Sequence, residues 1–343
     1  MKPLTVRIIK KIKSTPDTQK AKKAVLYTGL TVGGLALAAG ALYTEIMTTV
    51  IARRHTPMTD KLTEIATGTP TPTDPVHDEW AQKLKDTPTD LVEIRARDGM
   101  VLRAHRYRAE NPRRVMILAH GWHSTWNRDF CASSPFFHDN DCELLLIEQR
   151  CHGESGGGLI SYGINERYDI LSWLEWVEAN IPSLPVYLCG ISMGASTVLM
   201  AAGLPIAGRV AGIIADCGYT TPKEIISETV GKAIGKAAPP TVAAVNLNCR
   251  VREGFGFSDY STIDAMAKNK DVPVLFIHGD ADDFVPWRMS LENYLACQAP
   301  KELWIVPGAG HGLSYVVDTP TYQKKVLAFF AAHDESAAPA QVS

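Results

Sequence analysis

Three stretches of this chain carry side chains that could make and break a covalent bond. Gly190-Ile191-Ser192-Met193-Gly194 sets a serine between small residues, directly after the apolar run Val186–Cys189 and before the helix-compatible ASTVLMAAG. A sharp strand-to-helix turn with small flanks lifts a serine hydroxyl above a sheet, so Ser192 is a candidate nucleophile. A serine hydroxyl is a poor nucleophile at neutral pH and needs a base that takes its proton and returns it to the leaving group. His311 stands in GAGHG just after the strand-like LWIVP, on a loop that could carry an imidazole to the sheet's carboxyl edge. His120, His123, His138, His152 and His278 compete with it, but none follows the last strand-like run. The acid that orients the base should end the strand lying between serine and histidine. There, VPVLFIHGDADDFVP offers Asp280, Asp282 and Asp283, and Asp216, after the preceding strand, is a further alternative.

The surrounding pattern provides elements to position these groups. Between Leu91 and His333, short apolar runs alternate with amphipathic stretches, which predicts an α/β fold with a mostly parallel sheet and helices on both faces. The runs are Val115–Ala119, Leu144–Ile147, Val186–Cys189, Val210–Ala215, Val274–Ile277 and Leu303–Val306, each suited to a buried strand. Alternation around Asp98-Gly99 predicts that the sheet opens with an antiparallel hairpin. Ile164 to Ala179 reads as a helix whose sheet-facing side holds Ile164, Tyr168, Leu171, Leu174 and Val177, with Glu166, Arg167, Glu175 and Glu178 outward. Trp173 and Trp176 of this helix read as packing residues. The interval from Cys217 to Asp271 breaks the rhythm with a small helical pattern, Pro239-Pro240 and GFGFSDY, and is expected to form a helical lid.

HGDADDFVP resembles the HGxxDxxVP segment of the α/β hydrolases, which puts the catalytic aspartate on Asp282. The resemblance covers about residues 90 to 333, and the chain order Ser192, Asp282, His311 is that of the fold. His120-Gly121 after VMILA resembles the family's oxyanion loop, which implies that the backbone N–H groups of Trp122 and Met193 hold the developing negative oxygen. Glu148 to Ser155, EQRCHGES, is similar to the family's D-x-R-G-H-G-x-S stretch with Glu148 and Cys151 departing from it, and implies a scaffold role for Arg150, His152 and Ser155. LAHGWHSTWNRD, SYGINERYDI and ADCGYTT resemble the bacterial YqkD-like hydrolases and, more distantly, a group of membrane-associated hydrolases.

Outside the hydrolase-like part, Ala24 to Thr44 is a run without charge. At about 1.5 Å per residue, such a helix matches the ~30 Å hydrocarbon core of a bilayer. Lys2, Arg7, Lys10, Lys11, Lys13, Lys20, Lys22 and Lys23 precede it, and Arg53, Arg54 and Lys61 follow. This asymmetry predicts a single-pass helix with a cytoplasmic amino terminus and an extracytoplasmic catalytic domain, a cleaved signal peptide being the alternative. The expected organisation is a basic segment over 1–23, an anchor over 24–50, a linker over 51–89 containing the Thr/Pro-rich TGTPTPTDP, a catalytic domain over 90–335 with its lid at about 217–271, and a tail over 336–343.

With 45% hydrophobic residues and a net charge of −2, the chain lacks the basic excess expected of a nucleic-acid partner. Its seven cysteines are scattered and without a CxxC pair, so they read as mostly buried thiols and imply neither a metal site nor a disulfide framework. No organic cofactor is implied. Ester or thioester hydrolysis through an acyl-enzyme is the expected chemistry, on a small-molecule or lipid substrate. A serine peptidase of the same fold and a noncatalytic membrane-anchored binding protein are the alternatives.

Overall fold

The computed structural model describes residues 16–54, 56 and 75–334, with the side chains of 16–19, 21–33 and 35 outside that set. Eight strands form one sheet: β1 (Asp90–Arg95), β2 (Val101–Tyr107), β3 (Arg114–Ala119), β4 (Cys142–Glu148), β5 (Val186–Ile191), β6 (Gly212–Asp216), β7 (Val274–Gly279) and β8 (Lys301–Val306). Their order is β1-β2-β4-β3-β5-β6-β7-β8. β1 and β2 form the expected hairpin, and β2 also runs antiparallel to β4; all other pairs are parallel.

Both faces of the sheet are covered, which is why its central strands read as unbroken apolar runs. Along β3, Val115, Ile117 and Ala119 join one buried cluster while Met116 and Leu118 join another. The first cluster takes in Ile170, Leu171, Trp173, Leu174 and Val177 of α5 (Glu166–Asn180) and Val198 and Leu199 of α6 (Met193–Ala201). The second includes Phe137 of α4 (Ser134–Asp139) and Tyr322, Val326, Phe329 and Phe330 of α12 (Thr319–His333). Each fully buried side chain of this kind contributes about 1.5–3 kcal/mol.

On α5 the helical pattern assigns three residues to the wrong side. Tyr168 is 41% exposed, whereas Glu166 and Arg167 are buried. The preceding turn folds back on the helix, so that the Glu166 carboxylate accepts hydrogen bonds from the Ser161 and Gly163 amides, each at 2.8 Å, and from the Ser161 hydroxyl. The Arg167 guanidinium lies 3.9 Å from the centre of the Tyr260 ring. Loop and ring contacts thus offset burial costs that a helical wheel does not register.

The interval 217–271 holds α7 (Pro222–Ile234), a 3-10 turn (Gly235–Ala237), α8 (Ala238–Glu253) and α9 (Thr262–Lys268). Thr221 caps α7 by accepting the Glu224 amide at 3.0 Å, with Pro222 in the first turn. Pro239-Pro240 do not break a helix; they lie in the first turn of α8, where a proline costs nothing. Phe255 and Phe257 of GFGFSDY are 2% and 1% exposed and belong to the interior of this cover.

Helix α1 spans Pro16–Ala52 and α2 spans Pro75–Asp86. Among the described residues, those up to Ile46 form one compact unit and those from Met47 on form another. The end of the expected anchor and part of the expected linker are therefore structural parts of the second unit: Met47, Val50, Ile51 and Ala52 are buried, as are Ala81 and Leu84 of α2. The side chains of residues 24–33 and 35, half of the run expected to cross a membrane, lie outside the described residues, as do residues 1–15 and 335–343. Among the described residues, no helix is long and apolar enough to cross a membrane.

Candidate active site

Ser192 stands between β5 and α6 with φ 56° and ψ −116°, a conformation L-residues seldom adopt. The turn is possible because of its two glycines. A Cβ on Gly190 would strike the Gly194 backbone, and one on Gly194 would strike the carbonyls of Ala119 and His120. The Ser192 amide is tied to the Asp216 carbonyl at 2.9 Å, and the side chain is nearly buried.

The three residues named from sequence meet across 119 positions of chain. Ser192 Oγ lies 2.9 Å from His311 Nε2, and His311 Nδ1 lies 2.7 Å from Asp282 Oδ2. For the relay to run, Nδ1 carries the proton donated to Asp282 and Nε2 accepts from the hydroxyl. Asp282 Oδ1 accepts the amides of Phe284 and Val285 at 2.9 and 2.8 Å. Burial pushes the Asp282 carboxyl up, but hydrogen bonds from His278 and His311, the nearby His311 charge and the Val285 amide overcome this and hold it well below the usual range.

The competing residues have other occupations. Asp280 accepts the Gly308 amide at 2.6 Å, Asp283 is exposed, and Asp216 accepts the Ser314 hydroxyl at 2.8 Å. His278 is buried behind the triad, with Nε2 3.2 Å from Asp282 Oδ2 and Nδ1 2.7 Å from Ser290 Oγ. His138 contacts the Arg108 carbonyl, far along the chain from the triad. His120 Nε2 accepts the Gln149 amide at 3.2 Å and His152 Nε2 accepts the His123 amide at 3.1 Å, so both rings act as neutral braces, and burial lowers the pKa of each. Arg150 makes a buried two-point pair with Asp169 at 2.7 and 2.5 Å, and Ser155 Oγ donates to the Glu148 carbonyl at 2.6 Å, both scaffold contacts. Cys151, standing where the resembling stretch has glycine, adopts φ 63°.

Among the described residues, the Trp122 and Met193 amides make no hydrogen bond in the turns and loops; Met193 follows Ser192 at the start of α6, and Trp122 follows Gly121, where a Cβ would lie 3.3 Å from the Ser192 Cβ, on the loop after β3. The loop is fastened by Asp129, at the end of α3 (Trp126–Asp129), which accepts the Gly121 amide at 2.6 Å and the Ser124 hydroxyl. Sequence reasoning did not single out Asp129, because no spacing rule links it to Gly121.

Two pockets meet at Ser192. One is apolar, about 400 Å³ including its mouth, and is lined on the α7 side by Ile225, Ile226 and Val230 and elsewhere by Trp122 and Phe284. The other is an open cleft bearing His77, Ser124, Arg128 and Asp129 together with His311. The GFGFSDY phenylalanines line neither; α7 supplies the apolar wall. All seven cysteines are buried and unpaired in disulfides. Among the described residues, Cys217, Asp282 and His311 bring possible metal-ligating atoms within 4.8 Å of one another, but two of them are the triad pair and burial keeps the Cys217 thiol protonated.

This fold and site define an α/β hydrolase, and the chain belongs to the alpha/beta hydrolase family, which it matches over residues 116–322. It is similar to YqkD of Bacillus subtilis (strain 168), at 29% identity over 195 residues, 56% of this chain and 63% of that protein. It is also similar to YfhR of Salmonella typhimurium (strain LT2), at 24% over 207 residues, 60% and 66% of the respective chains. The match thus spans just under two thirds of either relative's length. Among solved structures, the Pyrococcus furiosus esterase Pf2001 shares the fold with a TM-score of 0.61 at 19% identity, covering 74% of this chain and 94% of that one. The alpha/beta hydrolase GrgF from Penicillium sp. sh18 does so with a TM-score of 0.57 at 19% identity, covering 72% and 99%.

Proposed function

We propose that this hydrolase cleaves carboxylic esters or thioesters by way of an acyl-enzyme on Ser192. The observation that carries the reading is the unbroken relay from Ser192 through His311 to Asp282, opening on one side to an apolar pocket and on the other to an open cleft that bears His77, Ser124, Arg128 and Asp129. Ser192 Oγ attacks the carbonyl carbon as its proton passes to His311 Nε2, and the carbonyl oxygen becomes an oxyanion beside the Trp122 and Met193 amides. Each such donor contributes about 3 kcal/mol to the transition state. Collapse expels the alcohol or thiol, which takes the proton from His311. Water, deprotonated by the same imidazole, then releases the acid and restores Ser192. Asp282, held ionised, stabilises the imidazolium in both halves.

The apolar pocket favours an acyl group, lipid-derived or otherwise, on the acid side of the ester and a more polar leaving group in the cleft. Turnover of p-nitrophenyl butyrate by the purified chain should fall on the order of 10⁴-fold or more in Ser192→Ala. Equal turnover by the two proteins would assign the activity elsewhere.

The reading extends to location, as a single-pass anchor with a cytoplasmic amino terminus and an extracytoplasmic hydrolase. Its support is the uncharged run 24–44, the basic residues before it, and the exposure of Leu37 (77%) and Leu42 (64%) within α1. Alkaline carbonate extraction should leave the chain in the membrane pellet, and protease added to spheroplasts should remove the hydrolase. Release into the soluble fraction would reject the anchor.

A further inference from the structure

The carbonyls that end a helix have no partner inside it and must find donors elsewhere. At the end of α1 the donors come from the active-site loops. The Ile51 carbonyl accepts the Trp122 indole N–H at 2.9 Å and the Tyr162 hydroxyl at 2.5 Å. The Ala52 carbonyl accepts the Ile160 amide at 2.6 Å, and the Arg53 carbonyl accepts His123 Nε2 at 2.8 Å. Four bonds therefore hold this segment on the oxyanion loop and the 160–162 turn. The Ile51 side chain, 5% exposed, is fixed as one wall of the apolar pocket beside Ser192.

We propose that Ile51 is a specificity-determining residue: the segment entering the domain from α1 closes the acyl pocket and limits it to short apolar acyl groups. Only about 40 Å³ of the pocket is open to the centre of a water-sized sphere, well below the ~300–1,000 Å³ of ordinary ligand sites. Ile51 lines that space together with the α7 residues Ile225, Ile226 and Val230, so removing its side chain enlarges the pocket without touching the relay. Because the backbone carbonyl makes the bonds to Trp122 and Tyr162, a change of side chain leaves the oxyanion loop anchored.

This inference rests on the acyl-enzyme reading, and one series tests the two separately. The full-length protein in detergent, as wild type, Ile51→Val, Ile51→Ala and Ile51→Phe, is assayed with p-nitrophenyl acetate, butyrate, octanoate and dodecanoate, with Tm measured for each. A carbon more or less in an apolar pocket shifts kcat/KM by about 10-fold or more. Ile51→Ala should therefore raise the dodecanoate-to-acetate ratio by at least about 10-fold, Ile51→Phe should lower the octanoate-to-acetate ratio by a similar factor, and Ile51→Val should fall between wild type and Ala. Wild-type turnover with an unchanged chain-length profile in every variant overturns the role of Ile51 and leaves the acyl-enzyme reading standing. A parallel loss on all esters together with a lowered Tm, reversed in Ile51→Val, also overturns it, as a merely structural contact. Absence of ester turnover in folded wild type overturns both.

Discussion

The carboxyl edge of the sheet and the cover above it are built by different rules. At the edge, each functional side chain sits on a short connection whose shape is dictated within a few residues, as the Gly190–Gly194 turn shows. In the cover, the contacts that matter join residues far apart: the Ile51 carbonyl meets Trp122 and Tyr162 across 71 and 111 positions. The edge is locally encoded and intolerant of change, and the cover is assembled by packing and should tolerate more.

The sharpest way to break this contrast is Gly194→Ala. Its Cβ would run into backbone, which cannot give way as a side chain can, so a loss above about 4 kcal/mol or failure to fold is expected in urea unfolding. Stability within 1 kcal/mol of wild type would show that the edge is not locally constrained. Next in size is Arg150→Ala, which leaves the buried Asp169 carboxylate without its partner and should cost about 3–5 kcal/mol.

Asp216 yields a pH test. Burial raises its carboxyl to about 6, against the opposing Ser314 bond and the His278 and His311 charges, while Asp282 adds to the rise. A carboxyl whose folded pKa lies above its unfolded value of about 3.9 contributes stability that is complete below that value and lost as pH rises through about 6. The wild type should lose about 2 kcal/mol from this group between pH 4 and 7, and Asp216→Asn should lack that component. Parallel curves for the two proteins would remove Asp216 as the cause. The smallest effect belongs to the cover. Gly231, within α7, has open space where a Cβ would stand, so Gly231→Ala should stabilise by about 0.5–1 kcal/mol, read as a rise in Tm.

The same division explains what the sequence disclosed. Six apolar runs, the opening hairpin and the places of Ser192 and His311 on connections at the sheet's edge were legible because strand period and turn chemistry are local. Among the three aspartates of HGDADDFVP, only the resemblance to the family separated Asp282 from its neighbours. The buried face of α5 was misread at Glu166 because its partners come from the Ser161–Gly163 turn, which a helical period ignores. The end of α1 and the helix α2 went unrecognised as parts of the domain because only their tertiary partners distinguish them from anchor and linker. Within the interval expected to be a lid, sequence could not tell which residues reach the serine: Phe255 and Phe257 of GFGFSDY pack inside the cover, and α7 lines the pocket at Ser192.

The measurement that bears most directly on the central claim is labelling of the purified full-length protein by a fluorophosphonate probe, which reports an activated serine irrespective of the natural substrate. Labelling of wild type, its abolition in Ser192→Ala and its strong reduction in His311→Ala are the predicted results. Folded wild-type protein that takes up no label, or Ser192→Ala that labels as well as wild type, would contradict the account.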